Sequence, residues 1–492
     1  MTENQLSASH LYSYYRPSEC GRRIYLQHKH IPEAKPSPYE QVIRKLGERH
    51  EKAYLNTLKG VEDLSAASFT ERIYKIKQLV RNGVSIIYQP GFVVDATWSP
   101  IQRTITGQPD FIVREGNSYI IRDCKIARRI QDKDHPEILR QLELYGWLFQ
   151  QTTGLPPAGL EVVSGTGETL HIPYDGGVTA LGLLHTIDKI QKLDKEPYEP
   201  AGWSKCQHCR YFERCWKAAE DSRDLALVPE VDKGLILALH SLDIKTIEEL
   251  AGLDEGFLFN LKRPWGSGKQ KVGKKASRII TQAKALADEK KMIIGKLCLP
   301  PSPNFVIFDV EGLPPQLDEI DKVYLWGLQV YGNNPSPYMC ALADFGTDGD
   351  RNGWFKFLEN CSKIFASYGD LPFIHWSSYE KTKLKTYIER YGDPDGIGAR
   401  VKRNLKDLFG LTKKALVLPC YSYSLKQVEK LAGYRRLLPE AAGDWAMAKY
   451  IEATELEDPN ERQKVMNEII RYNQEDLEAT WTVLQWLWSM LR

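Results

Sequence analysis

The sequence lacks several features that would assign it to other classes of protein. It has no run of about eighteen consecutive apolar residues, so it predicts no membrane-spanning helix. Its opening, MTENQLSASHLYSYYRPSECGRR, lacks the basic-then-apolar order of a secretory signal, and we expect a cytoplasmic protein with no membrane partner. The net charge is only +2 over 492 residues. Any nucleic-acid partner would therefore have to bind at local basic patches.

Cysteine is scarce, and its spacing does not suggest pairs. There are nine cysteines, an odd number. In a reducing compartment such a set favours metal ligation over disulfides. Cys206, Cys209 and Cys215 form a C-x2-C-x5-C pattern in KCQHCRYFERCW. The cysteines at positions 124, 298, 340, 361 and 420 lie in apolar contexts, which predicts that they belong to the core.

Length and composition indicate several soluble domains. A chain of 492 residues is too long for one hydrophobic core and suggests roughly two to four domains. Hydrophobic residues make up 42% and charged residues 26%, which is ordinary for a globular protein. Changes of pattern along the chain predict three parts, residues 1–220, 221–295 and 296–492.

The segment GQPDFIVREGNSYIIRDCK predicts a β-hairpin that gathers charged side chains. Its apolar runs FIVR and SYIIRDC flank the turn signal EGN. Asp110 precedes the first strand, and Asp123 ends the second. Lys125 stands two residues later, on the same face as Asp123. Pairing in register would bring Asp110 next to Asp123, so that two carboxylates and an ammonium group share a small volume.

Two carboxylates at this distance repel each other, and each disfavours ionisation of the other. A divalent cation reverses this effect, because hard oxygen ligands suit Mg²⁺ or Mn²⁺. Lys125 could then hold a metal-bound water or stabilise charge on a phosphate. Taken alone, the pattern also fits a surface hairpin whose charged groups lie in solvent.

The motifs LGERHE, GQPD, DCK and QLELY, in this order, resemble the RecB-type branch of the PD-(D/E)XK nucleases over roughly residues 1–220. The resemblance implies a restriction-endonuclease-like fold. It implies that His50, Asp110 and Asp123 bind the metal and that Lys125 is the catalytic lysine. It places Gln141 and Tyr145, a Q-x3-Y element, near the DNA backbone. The acid of the third motif is Asp here, where Glu is commoner, but it still offers an oxygen ligand.

The cysteine pattern carries a second resemblance. One cysteine ahead of the nuclease motifs and C-x2-C-x5-C behind them is similar to the iron–sulfur staple of the AddB and CRISPR-associated RecB-type nucleases. This implies a [4Fe–4S] cluster held by Cys20, Cys206, Cys209 and Cys215. Zinc is the alternative, because four cysteines also suit that metal. We expect the bound group to be structural and to take no part in hydrolysis.

The middle of the chain predicts helices and a basic segment. VPEVDKGLILALHSLDIKTIEELAGL predicts two short helices and KKASRIITQAKALADEKK a third, a pattern similar to helix–hairpin–helix modules but equally consistent with a helical linker. Residues 262–278 contain seven Lys or Arg and no acid. A solvated basic loop would also fit this segment, in which Trp265 could stack on a base. The candidate nucleic-acid-binding residues are Lys262, Arg263, Lys269, Lys271, Lys274 and Lys275.

The last two hundred residues predict a mixed sheet flanked by helices. FVIFDVEG places Asp309 and Glu311 on one face of a strand, and the last helix carries Tyr472 and Asp476 as Y-x3-D. These pieces resemble the DEDD exonucleases of the RNase H-like fold, nearest to the DnaQ/YprB type. In that family carboxylates bind two metal ions and the tyrosine orients water. Glu380 stands where the second motif should carry Asp, so the activity of this site is left open. His375 stands where many members carry Asn.

Together these patterns predict an α/β protein: an N-terminal PD-(D/E)XK domain, a small helical middle region and a C-terminal RNase H-like mixed-sheet domain. The predicted function is metal-dependent hydrolysis of phosphodiester bonds at DNA ends or flaps, in DNA repair, recombination or CRISPR-related processing. The sequence shows no helicase motif, so strand separation would need a helicase partner or strands that are already single. An RNA exonuclease, or a nucleic-acid-binding scaffold with one or both sites inactive, is the alternative.

Overall fold

The computed structural model describes residues 5–315, 317–318, 320–438 and 442–491. Helices and strands are mixed throughout, which confirms the predicted α/β class. None of the helices in these ranges combines the length and the apolar composition that crossing a bilayer requires.

The chain forms two compact units. The N-terminal unit comprises Met1–Pro36, Ile43–Glu199 and Ser204–Cys215, and the C-terminal unit comprises Ser37–Val42, Pro200–Trp203 and Trp216–Arg492. The predicted middle region, residues 221–295, thus falls inside the C-terminal unit.

Up to Cys215, short strands alternate with helices. The strands are β1 (Gln5–Ser7), β2 (Val61–Asp63), β3 (Ile86–Tyr88), β4 (Phe92–Val94), β5 (Thr104–Gly107), β6 (Phe111–Glu115), β7 (Ser118–Cys124), β8 (Gly159–Val163) and β9 (Thr169–Ile172). The helices that begin in this part are α1 (Ala8–Tyr15), α2 (Gly21–His28), α3 (Pro38–Leu55), α4 (Phe69–Arg81), α5 (Pro136–Thr153), α6 (Val178–Gln191), α7 (Trp203–Cys206) and α8 (Phe212–Asp221).

After α8 the strands are β10 (Lys262–Trp265), β11 (Gly268–Lys271), β12 (Met292–Ile293), β13 (Asn304–Leu313), β14 (Lys322–Gly332), β15 (Met339–Leu342), β16 (Phe373–His375), β17 (Leu405–Asp407) and β18 (Leu416–Val417). The helices are α9 (Lys233–His240), α10 (Ile247–Ala251), α11 (Glu255–Asn260), α12 (Lys275–Ala287), α13 (Gly346–Tyr368), α14 (Tyr379–Tyr391), α15 (Ile397–Asn404), α16 (Leu408–Ala415), α17 (Leu425–Leu431), α18 (Gly443–Glu455) and α19 (Pro459–Leu491), with 3₁₀ turns at Leu225–Leu227 and Pro394–Gly396.

A six-stranded sheet organises the N-terminal unit, with the strand order β2-β3-β6-β7-β8-β9. At its centre β6 and β7 form the predicted hairpin, with Phe111 opposite Arg122 and Glu115 opposite Ser118. Gly116 in the turn has a φ of +57°, a conformation that favours glycine. β8 pairs parallel to β7 on the other side. The open end of the hairpin, where Asp110 and Asp123 stand, therefore lies inside the sheet and not at its edge.

A second, three-stranded sheet, ordered β1-β5-β4, leads the chain into this hairpin. β5 ends at Gly107, three residues before Asp110. A Cβ atom on Gly107 would lie 2.8 Å from the Tyr145 ring and 2.5 Å from the Leu148 side chain of α5. Glycine is therefore required where β5 passes α5, and this close approach sets the position of the segment that carries Asp110.

A mixed five-stranded sheet, ordered β15-β14-β13-β16-β17, forms the centre of the C-terminal unit, as predicted. β13 pairs antiparallel with β14 and parallel with β16. Alternate residues of β13 pack on opposite faces of the sheet, in two different cores. On one face, Phe308 and Val310 pack with Trp326 of β14 and with Trp354 of α13. The intervening positions face the other side of the sheet, where α19 packs. Asp309 and Glu311 consequently face α19.

The predicted helices of the middle region are present as α9, α10 and α12, and they share one apolar core. The basic segment is not a loop. Residues 262–271 form the β10–β11 hairpin, in which Lys262 lies opposite Lys271 and Trp265 opposite Gly268, and residues 275–278 begin α12. The Arg278 guanidinium of α12 donates to the carbonyl oxygens of Lys413 at 2.8 Å and Leu416 at 3.2 Å. These bonds join the middle region to the rest of the C-terminal unit.

Removing the indole at the centre of the aromatic core should strongly destabilise the C-terminal unit. Trp326 is fully buried and packs on Phe308, Trp354, Phe357 and Tyr387. We expect Trp326→Ala to lower the free energy of unfolding by about 3–5 kcal/mol, because the cavity cannot fully collapse. Urea titration followed by far-UV circular dichroism measures this loss. Trp265→Ala is the control, since Trp265 is 57% exposed. Equal losses in the two variants would contradict the packing described here.

Candidate active sites

The first candidate site lies at the open end of the β6–β7 hairpin. The Asp110 backbone N–H donates to Oδ1 of Asp123 at 2.9 Å, and the Cys124 N–H donates to Oδ2 of Asp110 at 2.8 Å. Each carboxylate is thus held by the backbone of the opposite chain segment. The hairpin register brings Asp110 and Asp123 together, and backbone amides fix their orientation.

Lys125 completes this cluster. Its Nζ lies 2.7 Å from Oδ2 of Asp123. Burial raises the pKa of Asp110 well above its usual range, and the negative charge of Asp123 raises it further while Lys125 opposes the shift. Burial alone would lower the pKa of Lys125, but the charges of Asp123 and Asp110 outweigh this effect and raise it. The donors fit a divalent cation, because the hard oxygen ligands are present and a cation would relieve the repulsion.

His50 lies on α3 beside this cluster but turns toward the sheet. Its Nε2 is 3.3 Å from the carbonyl oxygen of Val163, which also accepts the Lys125 N–H at 2.9 Å. In the described part of the chain, His50 does not join Asp110 and Asp123 in a group of ligand atoms within 4.8 Å of one another. The imidazole therefore lies next to the strand that carries the DCK motif, but it is not within ligand-group distance of both carboxylates.

Sequence reasoning missed the residue after His50. Oε1 of Glu51 accepts from Tyr88 Oη at 2.8 Å and from Gln89 Nε2 at 2.6 Å. The same Gln89 nitrogen lies 3.5 Å from Oδ1 of Asp110, and the charge of Glu51 contributes to the raised pKa of Asp110. A third carboxylate thus belongs to the cluster. The only signal was its place beside His50 in LGERHE.

Gln141 and Tyr145 are both buried on α5 but have different surroundings. The Gln141 Nε2 donates to the Ala8 carbonyl oxygen at 3.2 Å, so this amide ties α5 to α1. The Tyr145 hydroxyl is close to the charged cluster: burial raises its pKa, and the charge of Asp123 adds to the shift. Tyr145 is therefore in electrostatic contact with the carboxylates, whereas the hydrogen bond of Gln141 joins two helices.

The four cysteines of the predicted cluster lie in one region of the N-terminal unit. Cys20 directly precedes α2, and the backbone N–H of Cys209 donates to the Cys206 carbonyl at 2.8 Å. Burial raises the pKa of Cys20 to about 12, with contributions from Cys206 and Cys209. Burial also raises the pKa of Cys209, to which Cys206 and Cys215 contribute. Cys209 is thus near enough to interact electrostatically with each of the other three cysteines.

The second candidate site joins β13 to α19. Carboxylate oxygens of Asp309, Glu311 and Asp476 lie within 4.8 Å of one another. Within the described ranges, no other set of three or more Asp, Glu, His or Cys side chains meets this criterion. Burial raises the pKa of Asp309 well above its usual range, and Asp476 and Glu311 raise it further. Burial, with the charge of Asp476, raises the pKa of Glu311 to about 8. Such a group fits one or more divalent cations.

An asparagine that sequence reasoning missed supports this group. Asn473 Nδ2 donates to Oδ2 of Asp309 at 2.7 Å, and its Oδ1 accepts from Tyr338 Oη at 2.8 Å. A Cβ atom on Gly327, which lies opposite Asp309 in the sheet, would be 1.8 Å from the Asn473 Oδ1. Glycine therefore makes room for the amide. Asn473 stands three residues before Asp476, a spacing that places both on one helix face.

A buried arginine, also missed, partly neutralises the second site. Arg436 Nη2 lies 2.5 Å from Oδ1 of Asp476. Its Nε and Nη2 each donate at 2.7 Å to an oxygen of Glu429, which forms a bidentate pair. The side chains of Arg436 and Glu429 are each only 4% exposed. The guanidinium thus opposes the rise that burial causes in the pKa of Asp476.

Glu380 and Tyr472 flank the three carboxylates. Oε2 of Glu380 accepts from Ser377 Oγ at 3.1 Å and lies 3.3 Å from Nδ1 of His375. Its charge contributes to the raised pKa of Asp309, although Glu380 stands outside the close group. Tyr472 lies one helical turn before Asp476. Burial raises the pKa of Tyr472, and the charges of Asp476 and Glu311 raise it further.

The predicted nucleic-acid-binding residues divide into two kinds. The five lysines are exposed: Lys262, Lys269, Lys271, Lys274 and Lys275. Arg263 is only 5% exposed, and its guanidinium pairs with Asp232. The structure therefore corrects the expectation for Arg263, which is not available to a phosphate. Strand alternation turns Arg263 inward while Lys262 faces solvent.

The pKa of Glu311 predicts a pH dependence of stability. In the metal-free protein Glu311 keeps its proton to about pH 8, whereas its ordinary pKa is 4.5. Between these values the unfolded chain has lost a proton that the folded protein retains, so stability falls as the pH rises. We expect the melting temperature in EDTA to fall less from pH 6 to pH 8 in Glu311→Gln than in the parent protein. Mn²⁺ should restore stability at pH 8 in the parent protein.

Differential scanning fluorimetry in matched buffers measures both effects. Glu457→Gln, which changes an exposed carboxylate outside the site, is the control and should behave like the parent. An identical pH slope in the parent and in Glu311→Gln would show that Glu311 is not the group responsible.

Comparison with known proteins places both sites in nuclease-like domains. Residues 13–216 match the family model of the PD-(D/E)XK nuclease superfamily, and residues 306–488 match that of the RNase H superfamily. No curated protein matches this chain in sequence.

Two solved structures resemble part of the chain. One is the SSO0001 protein, at 16% identity and a TM-score of 0.26, covering 44% of this chain and 87% of that one. The other is a candidate exonuclease from Eubacterium rectale, at 13% identity and a TM-score of 0.28, covering 43% of this chain and 88% of that one. At these scores the structural resemblance adds nothing to the family matches. From those matches, the chain combines an N-terminal PD-(D/E)XK domain with a C-terminal RNase H-like domain, and a helical region lies between them.

Proposed function

We propose that the chain is a metal-dependent nuclease that hydrolyses phosphodiester bonds at DNA ends or flaps, with one active site in each domain. The observation that carries the proposal is the convergence of Asp309, Glu311 and Asp476 within 4.8 Å. Carboxylates at such distances, with little contact with solvent, repel one another unless they are protonated or neutralised by a cation. A site that holds three of them in a nuclease-like domain fits metal-assisted hydrolysis.

In the N-terminal domain, Asp110 and Asp123 would hold Mg²⁺ or Mn²⁺, and we propose His50 as a further ligand. The bound cation would supply an activated water and neutralise charge on the scissile phosphate. Lys125 is kept protonated by its contact with Asp123, so that its ammonium group stabilises negative charge on the phosphate. Tyr145 of α5 lies near this group, since the charges of Asp123 and Lys125 both act on its hydroxyl.

In the C-terminal domain, Asp309, Glu311 and Asp476 would hold the metal ions of a DEDD-type site. Glu380 would supply the fourth carboxylate, since its charge already acts on Asp309. Asn473 fixes the orientation of Asp309, and Arg436 fixes that of Asp476. Tyr472, one turn before Asp476, would orient the attacking water, as the resemblance to this type implies.

Nuclease assays with matched variants test the proposal. We expect Asp110→Asn and Asp309→Asn each to remove one part of an Mn²⁺-dependent activity and the double variant to remove all of it. Loss of a metal ligand should reduce the rate at the affected site at least about 100-fold. Labelled single-stranded and double-stranded DNA and RNA, with Mn²⁺ or with EDTA, give the substrate and the polarity of digestion. Asp288→Asn, which changes a carboxylate at the end of α12, is the control.

The outcomes separate the candidate functions. Shortening of DNA by the parent protein supports the proposal, and shortening of RNA alone would indicate an RNA exonuclease. If no substrate shortens with Mn²⁺ and the nucleic acids still bind, the protein is a scaffold and the proposal is wrong. Activity that survives in the double variant would refute the site assignment.

We propose further that Cys20, Cys206, Cys209 and Cys215 hold a [4Fe–4S] cluster, with zinc as the alternative. Their mutual electrostatic influence supports this proposal, because a bound metal group would stabilise the thiolates that burial disfavours. A link between Cys20 and the distant C-x2-C-x5-C motif would reduce the conformational entropy of the unfolded chain. In the chain-entropy description this raises the free energy of the unfolded state by about 5 kcal/mol. The group would therefore act as a structural staple of the N-terminal domain.

Removing one of these thiols tests the staple. We expect Cys20→Ser to lose bound iron and to lower the melting temperature of the N-terminal domain, because the long cross-link is broken. Anaerobic iron and zinc analysis, visible absorbance and calorimetry measure these changes. Cys298→Ser is the control, because Cys298 is exposed. Its apolar sequence context had predicted a core position, and that prediction is wrong. Cys20→Ser that loses iron but keeps full stability would contradict the structural role.

A further inference from the structure

The β10–β11 hairpin presents an aromatic side chain at its tip. Trp265 is the last residue of β10, pairs with Gly268 and directly precedes Gly266, whose φ is +56°. Trp265 is 57% exposed, which is unusual for so large an apolar side chain. Neither candidate active site uses it.

A buried arginine holds the Trp265 ring in place. The Arg263 guanidinium carbon lies 4.4 Å from the centroid of the Trp265 ring, within cation–π distance. The two residues are two apart on one strand and therefore share a face. Arg263 is fixed from behind by its ion pair with Asp232 and by a contact of 3.4 Å to Oε1 of Gln270. One face of the indole is thus covered by the guanidinium, and the ring loses rotational freedom before any ligand binds.

The hairpin is itself anchored to a helix. Asp232 accepts the N–H of Leu235 at 3.0 Å and caps α9, so that one carboxylate joins the helix to Arg263. A Cβ atom on Gly234 would lie 2.3 Å from the Pro264 carbonyl oxygen, which shows how closely α9 approaches β10. The aromatic side chain therefore stands on a supported hairpin and not on a loose loop.

Every charged side chain on the segment that carries Trp265 is positive. From Lys262 to Ala287 the chain contains no Asp or Glu. Lys262, Lys269 and Lys271 are exposed on the two strands of the hairpin. The strand pairing places these lysines on the face of the hairpin opposite Trp265. Their long side chains reach the edge of a hairpin only two strands wide, so a nucleobase can stack on the indole while the lysines contact its flanking phosphates.

We propose that Trp265 is a stacking platform for an unpaired nucleobase, and that the hairpin thereby binds single-stranded nucleic acid in preference to duplex. The proposal rests on the proposed nuclease function and names the form of substrate that the C-terminal unit engages. An internal base of a duplex already stacks on both faces and gains nothing from the indole. An unpaired base gains a full stacking contact. Arg263 acts as the positioning residue of the platform.

Binding of a short strand that carries 2-aminopurine at its centre tests this directly. The full chain is titrated in EDTA, so that no strand is cut, against the single strand and against the same strand in a blunt duplex. We expect the parent protein to quench 2-aminopurine fluorescence in the single strand only. Trp265→Ala should remove the quenching and weaken single-strand binding about ten- to hundred-fold, with little effect on the duplex. Trp265→Phe should keep part of both effects.

Two further variants separate stacking from charge. Lys269→Ala should lower the slope of log affinity against log salt by about 0.7, while Trp265→Ala leaves the slope unchanged. Arg263→Lys keeps the charge but loses the planar group under the ring, and it should reduce the quenching more than it reduces the salt slope. Trp98→Ala, which removes an indole that is 81% exposed in the N-terminal unit, is the matched control and should bind like the parent.

The result that overturns the proposal is a parent protein that does not quench the single strand, or a Trp265→Ala variant that binds it as tightly as the parent. The same titration with RNA of the same sequence shows which polymer the platform takes, and quenching by either supports stacking. Because the assay contains no metal, it is independent of hydrolysis. Cleavage in Mn²⁺ without Trp265-dependent binding would refute the platform alone, and Trp265-dependent binding without cleavage would refute the nuclease function alone.

Discussion

Mutual repulsion between closely spaced carboxylates that are buried or half-buried is the constraint on which both candidate sites depend. In each domain, acidic side chains are held close together in surroundings that raise their pKa values. In each site a basic side chain partly offsets the repulsion. Lys125 contacts Asp123 in the N-terminal domain, and Arg436 contacts Asp476 in the C-terminal domain. The remaining repulsion makes each site a favourable place for a divalent cation.

The two domains reach this arrangement with different backbone elements. In the N-terminal domain the register of one hairpin places Asp110 beside Asp123, and backbone amides orient both. In the C-terminal domain, a strand supplies Asp309 and Glu311 through alternation, and a distant helix supplies Asp476. The first arrangement is local in sequence and depends on one turn. The second joins residues far apart in the chain, so it forms only when the sheet and the last helix have packed.

Arginine and lysine serve different purposes in this protein. The arginines at positions 103, 263 and 436 are buried and pair with carboxylates, which their planar, multidentate groups suit. The lysines of the β10–β11 hairpin are exposed, where a strongly hydrated ammonium group carries no cost of burial. A nearly neutral chain can still present a local positive surface, because residues 262–287 contain lysines and arginines but no Asp or Glu.

The sequence by itself determined the local elements and the residues they carry: the hairpin, the D-x-E strand, the helices of the middle region and the Y-x3-D helix. Strand and helix periodicities report which residues share a face, and a few ordered motifs identified both domains. Only the tertiary structure decided the partners of these residues. The sites also include Glu51, Asn473 and Arg436, which contact the predicted residues from other elements. Arg263 is buried against Asp232 and does not belong to the exposed basic surface. No local sequence pattern encodes these contacts. Periodicity describes one element at a time, whereas burial and ion pairing depend on which elements pack together.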